Sequence, residues 1–115
     1  MRKFYIIILS SLFMSCDVKT PNYQDIKLKE YFYNQWEKML INYPEYATYL
    51  GDHRYNDRLT DMSIEAVLKR HIQTKESYKE ILAINRTQLS SEYKLYFDLY
   101  TDNLHKEIER QQFKE

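Results

Sequence analysis

SIEAVLKRHIQTKESYKEILAI, residues 63–84, carries the clearest helical pattern of the chain. Its apolar side chains recur at steps of three and four residues, which is the period of an amphipathic helix. Ser63 is suited to cap the first turn, and Glu65 complements the helix dipole there. We therefore predict a long helix that runs from Ser63 to about Ile84. The predicted stripe consists of Ile64, Val67, Leu68, His71, Ile72, Lys75, Tyr78, Ile81 and Leu82.

Similar stripes flank this stretch on both sides. The upstream stripe predicts a helix that begins near Asp25 or Ile26 and ends before Pro44, because the residue ahead of a proline disfavours helical angles. It comprises Ile26, Tyr31, Phe32, Gln35, Trp36, Met39 and Leu40. The downstream stripe predicts a further helix capped by Ser90 or Ser91. It comprises Tyr93, Tyr96, Phe97, Tyr100, Leu104 and Ile108.

A short helix and a polar loop connect the first two long helices. Pro44 is well placed to open the short helix, and Gly51, the only glycine, is suited to the left-handed residue that ends it. The polar residues 52–62 then predict an ordered loop. We therefore predict an all-α fold of about four helices, with the long ones as antiparallel neighbours.

Composition limits the classes of protein to which the chain can belong. The 115 residues suffice for one domain, and 16% aromatic residues are too many for a disordered coil. The net charge is zero, without the basic surplus of a nucleic-acid-binding protein. The last predicted helix meets no glycine or proline before Glu115. We therefore expect residues 26–115 to be an incomplete part of a larger helical domain.

The first residues have the layout of an export signal. Arg2 and Lys3 precede the apolar residues 4–14, and this run is shorter than the roughly 20 residues that span a membrane. Ser15 and Cys16 follow, with Leu12 four residues before the cysteine, and this arrangement resembles the lipobox of bacterial lipoproteins.

The lipobox resemblance implies a lipidated cysteine. The Cys16 thiol would take a diacylglyceryl group, and the chain would be cut before Cys16 and acylated at the new amino end. Two or more acyl chains give stable anchoring. We accordingly expect a signal peptide at 1–15, a lipidated cysteine with a polar tether at 16–25, and a location in the cell envelope, facing the periplasm or the surface. An ordinary secretory signal and an uncleaved signal anchor remain the alternatives.

The histidines do not form a recognisable metal or catalytic motif. His71 lies on an apolar stripe and is interpreted as a core histidine. His105 and Glu109 are four residues apart and could face one ion, but a site needs three or more ligands and no third is evident. One glycine also leaves no room for a glycine-rich phosphate loop or nucleophile elbow. We therefore assign no catalytic residue, no metal ligand and no cofactor to this chain.

The segment PEYATYLGDHRYNDRL, residues 44–59, holds the candidate site. Bidentate pairs between arginine and carboxylate hold loops in fixed geometry, which favours an internally bridged loop that locks helix two against helix three. The alternative is that His53, Arg54 or Tyr55 lines a pocket and binds a substrate carboxylate or carbonyl. The candidate structural or pocket-lining residues are Gly51, Asp52, His53, Arg54, Tyr55 and Asp57.

This segment resembles the start of the DUF885 family of bacterial proteins. A second stretch, LSSEYKLYFDLYTDNLHKEIE at residues 89–109, is similar to a later helix of that family, and the resemblance covers roughly residues 28–113. The resemblance implies a longer, all-helical protein, often lipid-anchored, that acts as a zinc-dependent peptidase. The His-Glu motif of the family belongs to its C-terminal half and is not found among these residues.

Two functions are therefore expected as alternatives. The first is a lipid-anchored envelope protein that forms the N-terminal helical fragment of a DUF885-like, metallopeptidase-like protein without the catalytic metal motif. Its partners would be the membrane, through Cys16, and the C-terminal part of the same protein. The second is a small stand-alone lipoprotein that binds a partner through its tyrosine-rich helix faces. The resemblance implies metal-dependent peptidase activity for the full-length relatives, and we expect none from this chain alone.

Overall fold

The structure, a computed structural model, describes residues 20–113 and contains no strand in that range. Its four α-helices are α1 (Tyr23–Asn42), α2 (Pro44–Tyr49), α3 (Ile64–Leu82) and α4 (Ser91–Gln112). Short 3-10 turns lie at His53–Tyr55 and Arg86–Gln88. The predicted all-α fold of about four helices is confirmed.

α1 begins two to three residues earlier than the sequence pattern predicts. The Asn22 side chain accepts a hydrogen bond from the Gln24 amide at 3.0 Å, so Asn22 is the N-cap and Tyr23 is the first helical residue. Residues 23–25, expected to belong to the tether, are therefore the first turn of α1. The predicted signal peptide, Cys16 and the first part of the tether lie outside the described residues.

α2 and its end follow the prediction. Pro44 is the first residue of α2, and Gly51 has a φ of 86°, the only positive φ among the described residues. The Gly51 amide donates to the Thr48 carbonyl at 3.0 Å, and the Asp52 amide donates to the Ala47 carbonyl at 2.9 Å. Gly51 thus reverses the chain at the start of the loop, as expected for a residue without a Cβ.

The two later helices start as predicted but differ in detail. The Ser63 hydroxyl accepts from the Ala66 amide at 3.2 Å and caps α3, which ends at Leu82, two residues before the predicted end. Ser90 is the N-cap residue of α4, but its side chain makes no capping hydrogen bond. The Ser90 amide instead donates to the Asp25 carboxylate at 2.9 Å.

The three long helices run antiparallel in chain order. Tyr31 on α1 contacts Ser77 on α3, and Thr74 on α3 contacts Gln111 near the end of α4. The first turn of α1 therefore lies beside the connection between α3 and α4. The loop at 50–63 lies at the other end of α1, roughly 30 Å away for a helix of 20 residues.

Aromatic and aliphatic side chains from all three long helices form the core. Its buried members are Leu28, Tyr31, Ile81, Ile84, Leu89 and Phe97, and Phe32, Tyr93, Tyr100 and Leu104 pack against them. The Tyr31 hydroxyl donates to the Ser77 carbonyl at 2.8 Å, which satisfies the one polar atom of this ring. Burial, together with the nearby Tyr100 and Glu80, raises the pKa of Tyr31 well above its ordinary value.

Several side chains of the predicted stripes lie at the surface. Leu28 is fully buried although it is absent from the predicted stripe, whereas Ile26 is 40% exposed. Leu28 and Tyr31 are three residues apart and share a face of α1, while Ile26 points away from that face. Other exposed members of the predicted stripes are Trp36, Ile64, Leu68, Ile72, Leu82 and Tyr96.

Candidate functional site

The guanidinium group of Arg54 lies between two carboxylates, Asp52 and Glu37. Its Nε is 3.0 Å from both oxygens of Asp52, and its Nη2 is 2.6 Å from Asp52 Oδ2. On the other side, Nη1 and Nη2 donate to the two oxygens of Glu37 at 2.9 and 3.1 Å. We call these three residues the Arg54 cluster. Two-point pairing of this kind fixes the orientation of the guanidinium plane.

Local backbone geometry presents Asp52 to Arg54. Asp52 follows the reversal at Gly51 and caps the 3-10 turn, where its Oδ1 accepts from the Arg54 amide at 3.1 Å. The side-chain and backbone hydrogen bonds from Arg54 lower the pKa of Asp52. The hydrogen bonds to Asp52 and then to Glu37 raise the pKa of Arg54. Both groups of this pair are therefore ionised at neutral pH.

Tyr55 lies between two arginines of the loop. Its ring centroid is 5.3 Å from Cζ of Arg54 and 5.7 Å from Cζ of Arg58, within the range of cation–π contact. Arg58 is also paired with Asp57 at 3.7 Å, and the Asp57 side chain is 77% exposed. At that exposure the Arg58–Asp57 pair holds the loop only weakly.

His53 takes part in a separate contact with α2. Its Nδ1 is 3.2 Å from Nδ2 of Asn56, and Asn56 Oδ1 accepts from the Thr48 hydroxyl at 2.7 Å. Thr48 belongs to α2, so this chain of hydrogen bonds fastens the 3-10 turn to that helix. His53 therefore contributes to the loop's internal contacts.

The second half of the loop is fastened to α2 and α3. The Thr60 amide donates to the Glu45 carboxylate at 2.9 and 3.0 Å, and the Thr60 hydroxyl donates to the same group, which lowers the pKa of Glu45. The Asp61 side chain accepts from the Ser63 amide at 2.8 Å. Arg70 on α3 donates to the Asp61 carbonyl at 2.7 Å. Neither Glu45 nor Arg70 was among the predicted site residues.

The loop is bridged internally, as one of the two interpretations predicted, but its strongest contacts differ from the predicted ones. The expectation was that the charged residues would lock helix two against helix three. Arg54 instead joins the loop to α1 through Glu37, and Arg70 makes the contact with α3. Glu37 is 17 residues from Arg54 and is not part of the predicted apolar stripe, so no local pattern indicates this pairing.

A cavity of about 410 Å³ lies beside the loop and does not involve the predicted pocket residues. Its lining includes Ile41, Pro44, Arg58, Leu59 and Lys69. His53, Arg54 and Tyr55 are absent from this lining. All three nitrogens of the Arg54 guanidinium donate to carboxylates of the cluster. The geometry therefore favours a structural role for the Arg54 cluster.

The histidines of α3 and α4 do not assemble a metal site. His105 Nε2 is 3.3 Å from Glu109 Oε1, and both side chains are 56% exposed. Within residues 20–113, no three His, Cys, Asp or Glu side chains come together in a group that could hold a metal ion. The zinc that the family resemblance implies has no ligand set in this range. His71 is half-buried on α3.

Two recesses lie on the surface where α1 and α4 come together. The first recess, about 730 Å³, is lined by Pro21, Ile26, Tyr33 and Tyr93 among others. A second recess of about 310 Å³ is lined by Phe32, Tyr96, Leu99, Tyr100 and Asn103. Tyr93 lines the first recess and Tyr96 lines the second, and their ring centroids are 5.9 Å apart. We call the two recesses together the α1–α4 groove.

Comparisons of the whole chain with protein-family models, curated proteins and solved structures found no match. Among residues 20–113, none of the helices has the length and apolar content needed to cross a membrane. Any functional assignment therefore rests on the fold, on the loop with the Arg54 cluster and on the α1–α4 groove.

Proposed function

We propose that this chain is a lipid-anchored cell-envelope protein whose helical body is a structural segment of a DUF885-like, metallopeptidase-like protein. The Arg54 cluster is the observation that supports a structural role for the helical body. Arg54 and Asp52 lie within residues 44–59, the most specific part of the resemblance, and Arg54 pairs with both Asp52 and Glu37. A loop braced in this way is held in a fixed position against α1.

The lipid anchor rests on the leader pattern. A basic start and a short apolar run are features of a secretory signal, and Ser15 directly before Cys16 resembles the processing site of a bacterial lipoprotein. Cys16 is also the only cysteine, so no intrachain disulfide competes for its thiol. Acylation there would hold the helical body at the bilayer surface.

An uncovered stripe on α3 supports packing against further protein. Ile64, Leu68 and Ile72 are spaced four residues apart on one face and are 79%, 46% and 57% exposed. Aligned apolar side chains of this kind mark a surface that another element covers. In this proposal the C-terminal part of the same DUF885-like protein covers the stripe and supplies the metal motif.

The same stripe also suits the second candidate, a small lipoprotein that binds a separate partner. The genomic locus discriminates between the two. A coding frame that continues into a region with a His-Glu motif supports the DUF885-like protein. A separately encoded, monomeric product of about this length supports the partner-binding lipoprotein.

Metabolic labelling tests the anchor directly. Cells that express the full chain are fed an alkyne-tagged palmitate, and the protein is then isolated and examined for the tag. We expect label on the wild type and on the matched Ser10→Ala variant, which keeps Cys16, and no label on Cys16→Ser. An unlabelled wild type would rule out lipidation.

A peptidase assay tests the structural role. The purified mature chain is incubated with a peptide library and added zinc, and we expect no hydrolysis above the buffer control. Chelator-sensitive turnover that survives repurification would contradict the proposal that this segment serves as scaffold.

A further inference from the structure

We propose that the α1–α4 groove rests on the bilayer, so that this face of the bundle is a second membrane contact beside the lipid at Cys16. The inference depends on the proposed lipid anchor and adds an orientation to it. The bundle would then lie on its side, with α1 and α4 toward the lipid.

The position of the groove relative to Cys16 supports this orientation. Pro21 lines the first part of the groove and lies five residues after Cys16. Five residues span at most about 18 Å even when fully extended. The groove therefore starts within reach of the lipidated residue, and the short connection keeps it at a high effective concentration near the bilayer.

The composition of the face suits the boundary between lipid and water. Tyr33, Tyr96 and Leu99 are 64%, 44% and 56% exposed, and Ile26 is 40% exposed. Half-buried aromatic rings form the floor beneath them, among them Phe32, Tyr93 and Tyr100. Tyrosine is enriched where proteins meet the membrane interface, because its ring enters the apolar layer and its hydroxyl stays hydrated.

The charges at the rim fit the same environment. Lys29 lines the first recess of the groove. Lysine stems can lie along apolar surface while the ammonium group reaches lipid headgroups. Of the two acids that line the groove, Asp25 is held by the Ser90 amide, and in this orientation both Asp25 and Glu30 keep their carboxylates on the water side of the interface.

The exposed stripe on α3 does not share this position. Ile64 and Leu68 lie at the start of α3, next to the loop and thus at the end of the bundle far from residue 21. Of the two apolar surfaces, the α1–α4 groove is the one that the proposed anchor brings to the membrane. The α3 stripe therefore provides a matched control.

Trp36 gives a direct probe, because it is the only tryptophan and lies one turn after Phe32 and Tyr33 on α1. It is 46% exposed. The lipidated full chain is reconstituted into phosphatidylethanolamine and phosphatidylglycerol vesicles, with and without brominated acyl chains. We expect a blue-shifted Trp36 emission that brominated lipid quenches, compared with the Cys16→Ser protein in buffer.

Variants that introduce a charge on one face or the other identify the face that contacts the bilayer. The double variant Tyr33→Glu, Leu99→Glu should stay on the vesicles through its lipid but lose the blue shift and the quenching. Ile72→Glu on the α3 stripe should keep both. Circular dichroism of each variant confirms that the helices are retained.

The remaining outcomes separate this inference from the anchor itself. A lipidated, vesicle-bound protein whose Trp36 is not quenched by brominated lipid overturns the inference and leaves the anchor intact. Trp36 that is shielded from aqueous acrylamide but not quenched by brominated lipid overturns it in favour of a protein partner. A wild-type chain that carries no lipid overturns both proposals.

Discussion

Gly51 shows how a single residue ends α2 and starts the loop. Its φ of 86° lies in the left-handed region, and an added Cβ would meet no atom within 4 Å. Space is therefore available for a side chain, and the cost of a substitution would be backbone strain alone. The sequence predicts this conformation because Gly51 is the one glycine and follows a short helical pattern.

We expect Gly51→Ala to destabilise the folded chain by about 1–2 kcal/mol, because alanine resists the left-handed conformation. Gly51→Asn should cost less, since asparagine tolerates that region better. Urea denaturation of the three proteins measures the free energies of unfolding. An alanine variant as stable as the wild type would contradict the role assigned to Gly51.

Arg54 holds the loop through geometry more than through charge. Arg54→Lys keeps the charge but cannot form two-point pairs with both Asp52 and Glu37. We expect faster amide exchange at residues 52–56 and a Tm lower by less than about 5 °C, because the cluster lies near the surface. Arg58→Lys, at a loosely paired arginine, is the control and should change neither. Equal effects of the two variants would argue against the cluster.

The lowered pKa of Asp52 also predicts that the folded chain loses stability at acidic pH. Its pKa is lowered by the hydrogen bonds from Arg54, so the unfolded chain takes up a proton at a higher pH than the folded chain. The stability that Asp52 contributes is complete above about pH 4, the ordinary range of an aspartate, and is lost as the pH falls toward the folded pKa. Stability measured from pH 7 to pH 2 should fall less steeply in Asp52→Asn, and identical profiles would contradict this assignment.

At the scale of the helix, the burial of individual residues identifies the face of α1 that packs into the core. Leu28 is completely buried and contacts the core, while Ile26, two residues earlier, is 40% exposed. We expect Leu28→Ala to cost about 2–5 kcal/mol and Ile26→Ala to cost less than about 1 kcal/mol. Chemical denaturation of the mature chain measures both, and the reverse order would show that the predicted stripe, and not the structure, identifies the core face.

Helix ends and helix faces differ in how far the sequence predicts them. Pro44 and Ser63 mark helix starts through contacts within one turn, so local chemistry is sufficient. The burial of Leu28 and the pairing of Glu37 with Arg54 depend on how α1 lies against distant segments. The apolar stripe of α1 is wide, so it fits several orientations of the helix. It therefore does not predict which of its residues face the core.

Across the whole molecule, the order of the helices separates two regions. The first turn of α1 and residues 83–90 lie at one end, joined by hydrogen bonds from Asn85 and Ser90 to Gln24 and Asp25. The Arg54 cluster lies toward the other end. An anchor at Cys16 would therefore leave the loop directed away from the point of attachment. The sequence predicts the candidate loop, but the pairing of Arg54 with Glu37 is evident only from the fold.

Intact-mass analysis of the protein purified from membranes tests the lipid anchor most directly. The account predicts a mature chain that begins at Cys16 and carries the added mass of a diacylglyceryl group and an amide-linked acyl chain. A chain that retains Met1 and has an unmodified Cys16 thiol would contradict it.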